Sequence, residues 1–341
     1  MPNKPPSPKA LEQARTRLDD ALTTHPGDPT LLLLRGRADA RVGRYAEAAE
    51  FFDRAAKGFR AIDDLVNEAT ARLDEASSRS RAGFDEEART AYHLAIDVFT
   101  TISQPLGAAQ GRLALARHEL ANRQFDTARI ELERCLEPLA LAEAYGDLGW
   151  ACERLVDLTR RNEDVEVALN HARIAVEAAG KARERDVFGG RLAVLGALHR
   201  QANHPAKARS YLSKSLPYLR ETGPRAMLLD ALMELSELEA ERERAERSRD
   251  YLEEALQVAD RGATVVDRRR VRLKLATQLV EVIPTRARRL VDEVLSLMED
   301  TDHRGDRAMW TQIASVQSRL GETQAARESL ARGRPRPQQV D

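Results

Sequence analysis

The chain counts 341 residues with 54 Lys and Arg against 55 Asp and Glu, a formal net charge of -1. That balance argues against a dedicated nucleic-acid binder, whose domain would be basic overall; two cysteines and no Asn-x-Ser/Thr acceptor argue against a disulfide-dense secreted scaffold. Hydrophobic residues at 42%, charged at 32% and aromatics at only 4% suit thin helical layers better than one large core.

In chain order, MPNKPPSPKA is proline-rich without an apolar core, so it reads as neither signal peptide nor membrane anchor. Residues 1–8 are expected to be disordered. Residues 11–28 (LEQARTRLDDALTTHPGD) place Ala14, Leu18 and Ala21 at helical spacing before Pro26. The next segment, DPTLLLLRGRADARVG, is a helix with Asp28 as cap, Pro29 in the first position and Gly43 as stop. Its apolar run, Leu31 to Leu34, is far too short to span a bilayer. The expectation is a cytoplasmic protein without membrane contact.

From Gly43 the chain repeats itself. A column of small residues, Ala48, Ala88, Ala128, Ala168, Ala208 and Ser248, recurs every 40 residues and continues at steps of 39 to Ala287 and Ala326. Four residues on runs Phe52, Tyr92, Leu132, Ala172, Leu212, Leu252, Val291 and Leu330; three further on runs Ala55, Ala95, Cys135, Ala175, Ser215, Ala255 and Val294. Offsets of four and three mark one helical face, and the small residues admit a neighbouring helix at close range. Each unit is a helix, a short turn and a second helix, and a fixed period of this length signals a solenoid.

Some positions strain the pattern. Arg72 and Glu75 stand where apolar residues belong, so the register could slip there. Pro138 and Pro217 should end or kink their helices. Glu241 to Asp250 (ERERAERSRD) lacks a glycine turn and could run as one continuous helix. The tail ARGRPRPQQVD has almost nothing to bury and is expected to be disordered.

Leu32, Gly36, Gly43, Tyr45, Ala48, Phe52 and Ala55 carry a resemblance to the tetratricopeptide repeat, with Arg35 where a leucine is usual. The units are longer than the family's usual ones and are similar to those of kinesin light chains and of sensor regions in bacterial signalling regulators. The resemblance implies an all-α fold, a right-handed α-solenoid of antiparallel helix pairs. It covers residues 9–332, an initial half unit and about eight pairs, with 333–341 as a disordered tail.

No catalytic set assembles. His118-Glu119 lacks the second histidine of the zinc-protease pattern, and His199 and His204 are poorly spaced for a shared metal. Cys135 and Cys152 both face the layer between repeats three and four, as small hydrophobes or as a redox pair. Arg268, Arg269 and Arg270 read as a solvated helix face. No cofactor or metal site is expected, and no nucleotide-binding loop is present.

In the family it resembles, first helices line a concave binding groove. Carried over, those positions are Arg37 and Arg41, Arg81, Leu113 and Arg117, Arg160 and Arg161, and Arg200, followed by a change of sign at Asp230, Glu237 and Glu241, with Met233 among them. The expectation is a basic stripe ending at an acidic step, in a non-enzymatic adaptor for a protein or peptide with an acidic segment. Arginine late in a helix also suits the helix dipole without any ligand. The alternatives are a sensor for a small effector and a self-associating structural solenoid.

Overall fold

A computed structural model describes residues 8–161, 164–299 and 307–333; the expectations for 1–7 and 334–341 lie outside the described residues. No strand occurs among the described residues, and 85% of them are helical. The helices run α1 (Pro8–Thr24), α2 (Pro29–Arg41), α3 (Tyr45–Ala61), α4 (Leu65–Ala82), α5 (Asp85–Thr101), α6 (Pro105–Ala121), α7 (Phe125–Leu141), α8 (Tyr145–Arg161) and α9 (Val165–Ala182). They continue with α10 (Arg185–Gln201), α11 (Pro205–Glu221), α12 (Arg225–Ala240), α13 (Ala245–Asp260), α14 (Val265–Leu279), α15 (Pro284–Glu299), α16 (Arg307–Arg319) and α17 (Thr323–Arg332). Contacts gather in two compact units, Met1–Ala182 and Arg183–Asp341. Within each, every helix packs on the next. First helices of successive repeats also touch, α2 on α4 and α4 on α6 in one unit, α10 on α12 and α14 on α16 in the other, and no pair of second helices packs as closely. The first helices therefore occupy the inner side of the curve in each unit.

The small column is where the helices meet. Ala48, Ala88, Ala128, Ala168, Ala208, Ser248 and Ala287 are 0% exposed and Ala326 7%. Opposite the second column, the first helices carry small residues of their own. A Cβ on Gly36 would come within 2.7 Å of the Phe52 ring, and one on Gly196 within 2.7 Å of Leu212 Cγ. By the same register Val156 stands opposite Ala172, so the large and small partners exchange helices while the layer keeps its volume. The second column is buried from Phe52 to Val291, but Leu330 is 45% exposed, because no described helix follows α17 to cover it.

The turns keep the beat. Gly43, Asp63, Gly83, Ser103, Arg123, Glu143, Arg183, Asn203 and Glu243 all adopt a left-handed conformation, with φ between 55° and 84°. After each of the sampled turns an amide reaches back past the helix end: Arg44 N to Asp39 O at 3.0 Å, Gln124 N to Glu119 O at 2.8 Å, Arg244 N to Glu239 O at 2.9 Å. That bond closes the last turn in the manner of a Schellman cap. Glu243 thus does the work of the missing glycine, and the continuous-helix reading of 241–250 fails. Pro138 and Pro217 do not end their helices either. Each removes one backbone bond close to the helix end, and α7 still closes with Ala142 N on Pro138 O at 3.0 Å.

The charges that strain the repeat pattern are paired, so the register holds. Buried Arg72 meets Glu75 at 2.8 Å and Asp53 at 2.9 Å, and Glu75 also takes Arg79 at 2.9 Å. Arg35, in the usual leucine's place, bonds Asp39 on its own helix and Asp19 on α1 at 2.6 Å, while Arg15 of α1 reaches Asp39 at 2.8 Å. This knot ties the initial half unit to the first full repeat. Its equivalents are Glu119 with Arg89 at 2.7 Å and Glu239 with Arg209 at 3.1 Å, each clamping one repeat to the one before it.

Two outcomes follow for stability. Ala128→Phe, placed in a column with no room, should lower the urea-unfolding free energy by about 1 to 3 kcal/mol; an unmoved midpoint would contradict the packing. Arg123→Gly relieves a left-handed side chain and should gain about 0.5 to 1 kcal/mol after the entropy of a freer unfolded chain is counted. A loss on the same measurement would mean that the Arg123 turn is unstrained.

Candidate functional site

Helical geometry presents residues three or four apart on one face, and on the first helices that face carries the arginines in question. In the first unit the expected groove residues divide. Arg37 pairs with Asp74 of α4 at 2.8 Å. Arg81 lies over the Tyr45 ring at 5.4 Å, with a long contact of 3.4 Å to its hydroxyl. Arg117 stacks on Trp150 of α8 at 4.4 Å and stands 3.8 Å from Asp147. Arg41 and Arg160 are exposed and make no ion pair with any described residue. Arg161 closes α8, and its side chain lies outside the described residues. Leu113, at 2% exposure, belongs to the core rather than to the groove.

In the second unit the change of sign is met from within. Arg200 of α10 gathers Glu234 at 2.6 Å, Glu237 at 2.5 Å and Glu241 at 3.2 Å from α12. Asp230 pairs with Arg270 of α14 at 3.0 Å, and Lys274 of α14 pairs with Glu237. The acids of repeat six are therefore counter-charges to the repeats on either side. Met233 is 1% exposed and packs in the core.

Beside these pairs a cavity of about 280 Å³ opens among three first helices, lined by Ser236 and Glu237 of α12, Lys274 and Gln278 of α14, and Gln312 and Ser315 of α16. Its floor is a hydrogen-bond chain. Ser248 Oγ donates to the Ser236 carbonyl at 2.7 Å and stands 2.9 Å from Ser236 Oγ, while Gln278 Nε2 donates to Ser248 Oγ at 2.5 Å. With its proton committed to that carbonyl, Ser248 can only accept, so the Gln278 amide must turn its nitrogen inward. Its Oε1 is left buried and unbonded. Burial pulls the Lys274 ammonium below the usual lysine range, against the neighbouring Glu234. The sequence reading missed Lys274 and Gln278 because it did not carry the groove positions into repeat seven. Opposite charges a repeat apart, Asp230 and Arg270, were the available signal.

The remaining candidates take structural places. His118 is buried, its Nδ1 2.8 Å from Ser80 Oγ and its Nε2 3.1 Å from Asn122. His199 stacks on Tyr211 at 5.3 Å and lies 5.7 Å from the His204 ring. Among the described residues no three His, Cys, Asp or Glu gather in a metal-holding group, and no helix is long and apolar enough to cross a membrane. Cys135 and Cys152 are buried in one apolar cluster, and burial pushes the Cys135 thiol up to about 12. The arginine triplet is not a solvated face. Successive helical residues point about 100° apart, so Arg270 reaches the inner pairs, Arg269 is 1% exposed and Arg268 is half-buried.

The orphaned carbonyl has a stability signature. Gln278→Met removes an unmet acceptor and leaves Ser248 its bond from Ser236, so the unfolding free energy should fall by less than about 0.5 kcal/mol or rise. A loss above about 2 kcal/mol in chemical denaturation would show that the carbonyl has an internal partner.

No protein-family model matches the chain, and no curated protein matches it. Solved structures do. The apo form of RapI matches with a TM-score of 0.61 at 13% identity, covering 95% of this chain and 91% of that one. A STAND signal transduction ATPase with a tetratricopeptide repeat sensor, from Pyrococcus horikoshii, matches with a TM-score of 0.62 at 15% identity over 97% of this chain; the chain spans about half, 53%, of that protein. Identities this low speak for the fold alone, and that fold is the tetratricopeptide-type array of helix pairs.

Proposed function

We propose that the chain is a non-enzymatic adaptor whose first-helix faces hold a peptide or a partner helix. The observation that carries this reading is the cavity among the first helices α12, α14 and α16, whose lining includes the exposed Gln312 amide and Ser315 hydroxyl, groups able to bond a peptide backbone. The arginines of the first unit support an acidic segment in the ligand. Arg41 and Arg160 are committed to no described carboxylate, which leaves their guanidinium groups for carboxylate forks.

Fluorescence anisotropy of the full chain with end-blocked 15-residue peptides of graded net charge tests the reading. Acidic peptides should bind, and their affinity should fall as salt rises. Joint Arg41→Glu and Arg160→Glu substitution should weaken them at least about tenfold, as expected for losing two charge-assisted contacts, with the thermal midpoint unchanged. Peptides that bind regardless of charge and ignore both substitutions would place the ligand on another face. If no peptide binds while small metabolites raise the midpoint, the sensor reading replaces the adaptor.

A further inference from the structure

A second cavity, of about 530 Å³, lies on the other side of α14, between the second helices α13 and α15. It shares no lining residue with the inner cavity. Four arginines line it, Arg268 and Arg272 from α14 and Arg286 and Arg289 from α15, against two acids, Asp260 and Glu293.

The acids are already used. Arg272 takes Asp260 through Nη2 at 2.6 Å and Glu293 through Nε at 2.7 Å. Arg286 is held in a two-pronged pair by Glu253 at 2.6 Å. Arg268 and Arg289 are left over. Neither side chain bonds or pairs with any described residue, and the Nε of Arg268 is shut off from solvent without an acceptor. A guanidinium donor in that position has lost its water and gained nothing in return. Arg272 and Arg286 are neutralised by Asp260, Glu293 and Glu253 and serve to hold the wall in place, so the positive charge open to a ligand is that of Arg268 and Arg289.

We infer that this cavity is an anion site for a small phosphate monoester, with Arg268 and Arg289 as its primary ligands. Two unpaired guanidinium groups can each grip one edge of a phosphate group, and their planar forks suit phosphate oxygens. The volume exceeds what an inorganic ion fills, and Leu256 and Leu290 supply an apolar wall for the organic group. The site shares α14 with the inner cavity but none of its lining residues, so it stands or falls apart from the adaptor reading.

The test is calorimetric titration of the full chain with phenyl phosphate, with inorganic phosphate and with benzoate, all at matched ionic strength. Phenyl phosphate should bind saturably and more tightly than either comparator. Joint Arg268→Gln and Arg289→Gln substitution should lower its affinity at least about tenfold, as expected for losing two charge-assisted contacts, whereas Arg270→Gln on the inner face should leave it unchanged. Should the double variant fail to fold, Arg289→Gln alone, at an exposed position, must still weaken binding. Absence of saturable binding, meaning a cavity filled by solvent only, would overturn the inference. Equal loss in Arg270→Gln and in the double variant would do the same, as that is the mark of nonspecific charge attraction.

Discussion

Everything in this protein depends on two helices crossing at a point where nothing larger than alanine or serine fits. The column from Ala48 to Ser248 is sealed from solvent, and the facing glycines at 36 and 196 lie against Phe52 and Leu212 closely enough that a methyl group would collide. Close approach lets short apolar side chains cover a whole layer, which is why so few aromatics suffice. It also fixes how far one repeat is displaced from the next, and hence which side chains of neighbouring first helices can reach each other.

The charged residues work on that spacing. Asp39, Glu119 and Glu239 are buried near helix ends and, with Arg35 in mid-helix, clamp neighbouring helices, a role that requires each of these charges to be met, since breaking one such pair costs about 3 to 5 kcal/mol. On the inner faces the same reach produces Arg37 with Asp74, Arg200 with three glutamates and Asp230 with Arg270. Part of what resembles a ligand-facing charge pattern is thus the array holding itself together. The cations beyond that need, Arg41 and Arg160 inside and Arg268 and Arg289 outside, are the ones open to a partner.

The helix pairs were legible because their signal is periodic: the small column alone places every second helix through Ala326. The turns were half legible, since Gly43 and Gly83 announce a left-handed residue whereas Arg123 and Glu243 adopt it against their own preference, driven by the cap that follows. The charged exceptions misled in a consistent direction. Arg72 and Glu75 read as faults in the register until their partners, Asp53 and Arg79, are seen in space. The groove residues were legible as positions but not as free or committed groups, because pairing between repeats depends on side-chain reach. Arg268, Arg269 and Arg270 show the limit plainly, three adjacent identical residues with three unlike surroundings.

The central claim is the proposed one, that a peptide or partner helix is received on the inner faces of the first helices while the small column of the second helices builds the layers. Hydrogen–deuterium exchange of the full chain, with and without a bound acidic peptide, tests it most directly. The account predicts protection concentrated in α2, α4, α6 and α8, or in α12, α14 and α16, with α3, α5, α7 and α13 unchanged. Protection centred on the second helices, with the first helices exchanging as before, would contradict it.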